Sequence, residues 1–124
     1  MKNQLLNEMP SENLWTDICD IQDIPPNTGV CAQLNNQQIA IFYLHPEKKL
    51  KSIDNFDPIA KASVLSRGIV AEIDGKRVVA SPLYKQHFCL DSGRCLQDDE
   101  IQVATYQVRM KDNKVQALVI EEEQ

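Results

Sequence analysis

The side chains able to do chemistry in this 124-residue chain are few: four cysteines, two histidines and scattered carboxylates. Cys19 and Cys31 are far apart with Pro25-Pro26 between them, and Cys89-x5-Cys95 lacks the close Cys-x-x-Cys pair that nucleates zinc or iron-sulfur sites. All four read as small apolar residues on strands. His87 has no carboxylate or nucleophile of suitable context beside it, as proton transfer would require, and reads as a surface or loop histidine. His45, ahead of Pro46 and the Glu47-Lys48-Lys49 cluster, reads as a solvated turn residue. Asp54 and Asp57 resemble a carboxylate pair, but Asp54 is expected to end a strand and Asp57 to cap the turn before Pro58 by accepting backbone N–H bonds. The glycines at 29, 68, 75 and 93 stand singly, so neither G-x-G-x-x-G nor a P-loop is present to hold a nucleotide.

These residues must be positioned by short strands. Apolar residues follow a period of two more often than 3.6, with turn residues at short intervals, which predicts an antiparallel all-β domain. Val30 to Leu34 and Gln38 to Tyr43 read as strands joined through Asn35-Asn36-Gln37. Ile69 to Ile73 and Arg77 to Ala80 flank Asp74-Gly75, the pair suited to a two-residue primed turn. Tyr106, Val108 and Met110 alternate with polar residues before Asp112-Asn113 and a last strand, Val115 to Ile120. Trp15 opens the first strand and is expected in the core. Asp54 to Gly68 shows no sustained alternation and reads as a long ordered loop, a feature uncommon in compact domains unless it contacts something.

With 13 Lys and Arg against 18 Asp and Glu, the formal charge is −5, which disfavours nucleic acid because phosphate tracking needs clustered cations. Met1 to Trp15 carries Glu8, Pro10 and Glu12 and no apolar run of signal-peptide or membrane-helix length, so no membrane association, a cytoplasmic setting and reduced thiols are expected. One domain is predicted over 14–120, between a polar tail at 1–13 and an acidic tail at 121–124, both expected to fray.

A Rieske domain holds its two-iron cluster with two loops, one Cys-x-His and one Cys-x-x-His. Ser52-Ile53-Asp54-Asn55-Phe56-Asp57-Pro58-Ile59 resembles the approach to the first loop, and Val79-Ala80-Ser81-Pro82-Leu83-Tyr84 resembles the second, with both prolines in place. Phe88-Cys89-Leu90-Asp91-Ser92-Gly93 resembles the segment that follows in Rieske ferredoxins. On this registration Asp57 and Ser81 stand at the cysteine positions, and Ile59 and Tyr84 at the histidine positions. Ile59 has no lone pair, Ser81 would have to ionise a hydroxyl, and Tyr84 a phenol of ordinary pKa about 10. No cofactor, metal or catalytic residue is therefore expected in this chain.

Trp15-Thr16-Asp17-Ile18-Cys19, Thr28-Gly29-Val30-Cys31-Ala32, Val64-Leu65-Ser66-Arg67-Gly68 and Ala80-Ser81-Pro82-Leu83-Tyr84-Lys85-Gln86 together are similar to the small-subunit family of bacterial NAD(P)H-dependent nitrite reductases. The resemblance implies a Rieske-type antiparallel sandwich or partly open barrel with a small lobe carrying the two loops. It implies a large-subunit partner that holds siroheme, FAD and a 4Fe-4S cluster and reduces nitrite to ammonia with NAD(P)H in nitrogen metabolism. The former cluster loops, 54–67 and 81–88, then read as a docking surface, with Phe56, Leu83 and Tyr84 as anchors and Arg67, Lys85 and His87 alongside. Arg67 reads first as a tie between the loops through carbonyls and second as a contact to a partner's carboxylate. Two rivals stand beside this reading: a free-standing interaction module on the same fold, and a cluster-bearing ferredoxin, against which the missing ligands argue.

Overall fold

Ile39-Ala40-Ile41-Phe42 has no polar residue to alternate with, a pattern that suits a strand covered on both faces. The computed structural model describes residues 14–119 and makes this run the middle of β3 (Gln37–Leu44). Ile39 and Ile41 pack with Ile24, Leu34, Val115 and Ala117. Ala40, Phe42 and Leu44 point the other way and pack with Ile53, Leu65, Val79, Phe88 and Leu90. A single strand therefore separates two cores.

On one side lies the base. β2 (Thr28–Leu34), β3, β4 (Lys49–Asp54) and β10 (Thr105–Tyr106) form a sheet of order β10-β4-β3-β2, faced by β1 (Trp15–Asp20), β11 (Val108–Lys111) and β12 (Lys114–Leu118) in the order β1-β12-β11. On the other side lies the lobe. β7 (Ile69–Ile73), β8 (Lys76–Ala80) and β9 (His87–Cys89) form one sheet, and β5 (Phe56–Asp57) pairs with β6 (Ala62–Ser63). All pairings between these strands are antiparallel, and no sheet closes on itself, so the base is a sandwich. The described residues contain 3-10 turns at Ile21–Asp23 and Leu65–Arg67 and no α-helix. No helix among them is long and apolar enough to cross a membrane.

The hairpins form where turn chemistry demands them. Asp74 and Gly75 both take positive φ, 51° and 79°, as a primed two-residue turn requires, and Asp112 and Asn113 do the same at 53° and 66°. Leu34 pairs with Gln37 around Asn35, whose φ is 56°, so Gln37 belongs to the strand and not to the connection. The lobe is tied to the base by Arg77, whose guanidinium donates to Asn27 Oδ1 at 2.6 Å and to the His45 carbonyl at 3.2 Å. Its Nε lies 3.3 Å from Glu47 Oε2, an ion pair without hydrogen-bond alignment.

Several expectations need correction. Asp54 to Gly68 is not one loop, because Phe56–Asp57 and Ala62–Ser63 pair and Leu65–Arg67 coils. Trp15 is half-buried and outside both cores, its ring lying 4.2 Å from the Arg109 guanidinium, where a cation can rest on the π face. His45 is not solvated: its ring meets Tyr43 edge-on at 4.5 Å and its Nε2 is shielded without a hydrogen bond. Of the four cysteines, all free thiols, Cys89 and Cys95 are buried as expected, Cys19 is intermediate, and Cys31 is exposed because β2 is an edge strand. The last strand runs Lys114–Leu118, and Ile120 and the tails 1–13 and 121–124 lie outside the described residues.

Because Phe42 is fully buried at the centre of the lobe-side core, Phe42→Ala is expected to lower stability by about 3–5 kcal/mol in urea unfolding, while Met110→Ala on the exposed surface stays within about 0.5 kcal/mol.

Candidate functional site

The two loops that carry the family-like motifs share one backbone plan. In Asp57-Pro58-Ile59-Ala60-Lys61 the Lys61 N–H donates to the Asp57 carbonyl at 2.7 Å, and in Ser81-Pro82-Leu83-Tyr84-Lys85 the Lys85 N–H donates to the Ser81 carbonyl at 3.0 Å. Each turn ends on a lysine of positive φ, 58° and 65°, which reverses the chain. Each proline fixes φ at the second position, where no N–H donor is needed.

The first residues of the two loops meet. Ser81 Oγ–H donates to Asp57 Oδ2 at 2.5 Å, and Asp57 Oδ1 accepts the Ile59 and Ala60 N–H groups at 2.8 and 3.1 Å. Both side chains are sealed from solvent, at 0% and 1% exposure. Asp57 and Ser81, which the family resemblance puts at the cysteine positions, are thus joined by one hydrogen bond, and Asp57 caps its turn as its place before Pro58 predicts. The two residues that the resemblance puts at the histidine positions diverge. Ile59 turns inward against the lobe-side core, and Tyr84 is 63% exposed.

Asn55 holds the return of the first loop. Its Oδ1 accepts the Ser66 N–H at 2.7 Å, its carbonyl accepts the Leu65 N–H at 3.0 Å, and its Nδ2 donates to Gln38 Oε1 at 3.1 Å. Gly68 then lets β7 approach β8, since a Cβ there would sit 2.4 Å from the Ala80 carbonyl oxygen. That contact accounts physically for the glycine of Leu65-Ser66-Arg67-Gly68.

Arg67 does not tie the loops: its side chain is exposed and has no hydrogen bond or ion pair among the described residues. The tie belongs instead to Asn55, which is buried and sits between the strands, whereas Arg67 ends its 3-10 turn facing water. Phe56, Leu83 and Lys85 are also exposed, and His87 is half-buried, its Nδ1 3.0 Å from Gln97 Nε2. Two residues of this surface lack any sequence signal. Ile69, 73% exposed, pairs with Ala80, which pairs with His87, whose carbonyl accepts the Leu96 N–H. Asp54 ends β4 as expected and stands apart, with burial pushing its carboxyl up against the opposing pull of the Phe56 and Asn55 N–H groups.

This donor set does not fit an iron-sulfur cluster. Both oxygens of Asp57 are already taken, Ile59 offers no lone pair, and Tyr84 faces solvent rather than Asp57 and Ser81. What the arrangement can do is present exposed apolar side chains, Phe56, Leu83 and Tyr84, on two loops fastened together through Asp57 and Ser81.

The profile of the Rieske-like [2Fe-2S] domain family matches residues 14–117. The nitrite reductase (NADH) small subunit of Escherichia coli K12 is 49% identical over 102 residues, 82% of this chain and 94% of that protein. A crystal structure of an NADH-dependent nitrite reductase small subunit from Mycobacterium tuberculosis superposes with a TM-score of 0.82 at 34% identity, over 87% of this chain and 96% of that one. A nitrite reductase NAD(P)H large subunit of Klebsiella oxytoca contains a segment 38% identical to 82% of this chain, making up 10% of its own length. The ferredoxin of carbazole 1,9a-dioxygenase from Nocardioides aromaticivorans, at 13% identity and a TM-score of 0.73 over 86% of this chain and 98% of its own, shares the fold alone.

Ser81→Ala leaves a sealed carboxylate oxygen without its donor and is expected to cost about 1–3 kcal/mol, with a double-mutant cycle against Asp57→Asn giving a coupling of at least about 0.5 kcal/mol; additivity would show the bond to be energetically idle. Purified chain incubated with ferrous iron and sulfide is expected to bind no iron above that of an unrelated protein and to show no visible charge-transfer absorption.

Proposed function

Given that this chain belongs to the Rieske-like [2Fe-2S] domain family and within it to the nitrite reductase small subunits, we propose that it works as a non-catalytic subunit whose former cluster loops dock on the large subunit. Its partner is the large subunit. Reduction of nitrite to ammonia, with siroheme, FAD, a 4Fe-4S cluster and NAD(P)H, takes place in that partner, and the assembly is cytoplasmic.

The observation that carries the docking reading is the distribution of exposed apolar side chains. Six large ones are exposed among the described residues, and Phe56, Ile69, Leu83, Tyr84 and Leu96 all lie on the lobe, leaving only Met110 on the base. Apolar exposure gathered on one lobe marks contact surfaces in soluble proteins. The Klebsiella large subunit supports the partnership from another direction, since there a homologous module is part of the large chain itself. A free-standing interaction module would use the same surface on a different protein, and binding to the large subunit separates the two readings.

Leu83→Ala combined with Tyr84→Ala removes two anchors that make no core contact and is expected to weaken the complex with the large subunit at least about tenfold, or ~1.4 kcal/mol, by calorimetry. Unchanged affinity in a folded variant would overturn this surface.

A further inference from the structure

We propose that the face of the large subunit that receives this lobe is an apolar recess edged by clustered carboxylates, read by Lys61, Arg67 and Lys85; the inference rests on the docking reading above. The chain carries a formal charge of −5, yet beyond Asp54, the half-buried last residue of β4, the two loops present only cations to solvent. Across 56–67 and 81–86 the charged residues are Asp57, Lys61, Arg67 and Lys85, and the single acid among them is sealed off and fully hydrogen-bonded.

None of the three cations has an ion-pair partner among the described residues, so all three are available to a partner's carboxylates. The shared backbone plan of the loops puts Lys61 and Lys85 at equivalent positions, each on the left-handed residue that closes its turn. Arg67 adds a planar fork suited to a carboxylate. Phe56, Leu83 and Tyr84 are exposed on the same two loops as these charges, so the loops offer apolar and cationic side chains together. The acidic run Asp98-Asp99-Glu100 follows Leu96 in the chain and repels a partner's carboxylates from its own neighbourhood.

A rim of unpaired charges acts mainly on the rate of encounter and its dependence on salt. The test measures association of the full chain with purified large subunit by surface plasmon resonance at about 0.05 M and about 0.5 M sodium chloride. The association rate constant is expected to fall at least about tenfold between the two, and the K61Q/R67Q/K85Q variant to associate at low salt about as slowly as the natural chain at high salt, with most of its salt dependence gone. Lys76→Gln, which removes one positive charge at the far end of the β7–β8 hairpin, is expected to change neither. Salt-independent association, or a triple variant as fast as the natural chain, overturns the carboxylate rim while leaving docking intact if Leu83→Ala and Tyr84→Ala still weaken the complex. Absence of a complex under every condition overturns the docking reading and this inference with it.

Discussion

A carboxyl group sealed from water must have its oxygens occupied, and in this fold that requirement is met at the one place where the two loops of the lobe cross. Asp57 receives two amides of its own turn on one oxygen and the Ser81 hydroxyl on the other. The first set shapes the loop and the second fastens it to its neighbour. A metal cluster at this point would do the same mechanical work with four ligands; here one hydrogen bond between a carboxylate and a hydroxyl does it with none.

The bond holds because both loops are fixed from behind. β3 supplies side chains to two cores at once, so the lobe-side core containing Phe42, Leu65, Val79 and Phe88 is continuous with the base through a single backbone. Arg77 fastens the β7–β8 hairpin to the β3–β4 turn, and Asn55 fastens Leu65 and Ser66 to β3. The tips, Leu83 to Lys85 among them, carry no such load and are left facing water.

How much of this could be read from the residues differs by the physics involved. Hairpins were legible because Asp74-Gly75 and Asp112-Asn113 state their backbone conformation in their own chemistry. The turns of the two loops were legible because Asp57-Pro58 and Ser81-Pro82 state a local backbone conformation in their own chemistry. Asn55, Arg77, Ile69 and Leu96 were not legible, since each gets its role from residues distant in sequence, as Asn55 does from Gln38 and Arg77 from Asn27. Arg67 was misjudged for the same reason: whether a guanidinium turns inward depends on which carbonyls are still free, and Asn55 had already settled the neighbouring turn. Trp15 failed because its size argues for burial while its place on the edge strand of a three-stranded sheet does not supply it.

Ile59 and Tyr84 diverge, one toward the core and the other into solvent. Residues equivalent to the cluster's histidines must point at a common centre if iron is to be held; without iron nothing requires convergence, and each side chain goes where its own chemistry sends it. Ile59, wholly apolar, joins the core, while Tyr84, with one polar end, stays at the surface. Because Asp57 and Ser81 still lock the loops together, Leu83 and Tyr84 are offered on a preformed scaffold, and a partner that binds them meets little of the ordering cost that a mobile loop would impose. On the proposed docking reading, the Asp57–Ser81 lock keeps the loops in place without any ligand between them.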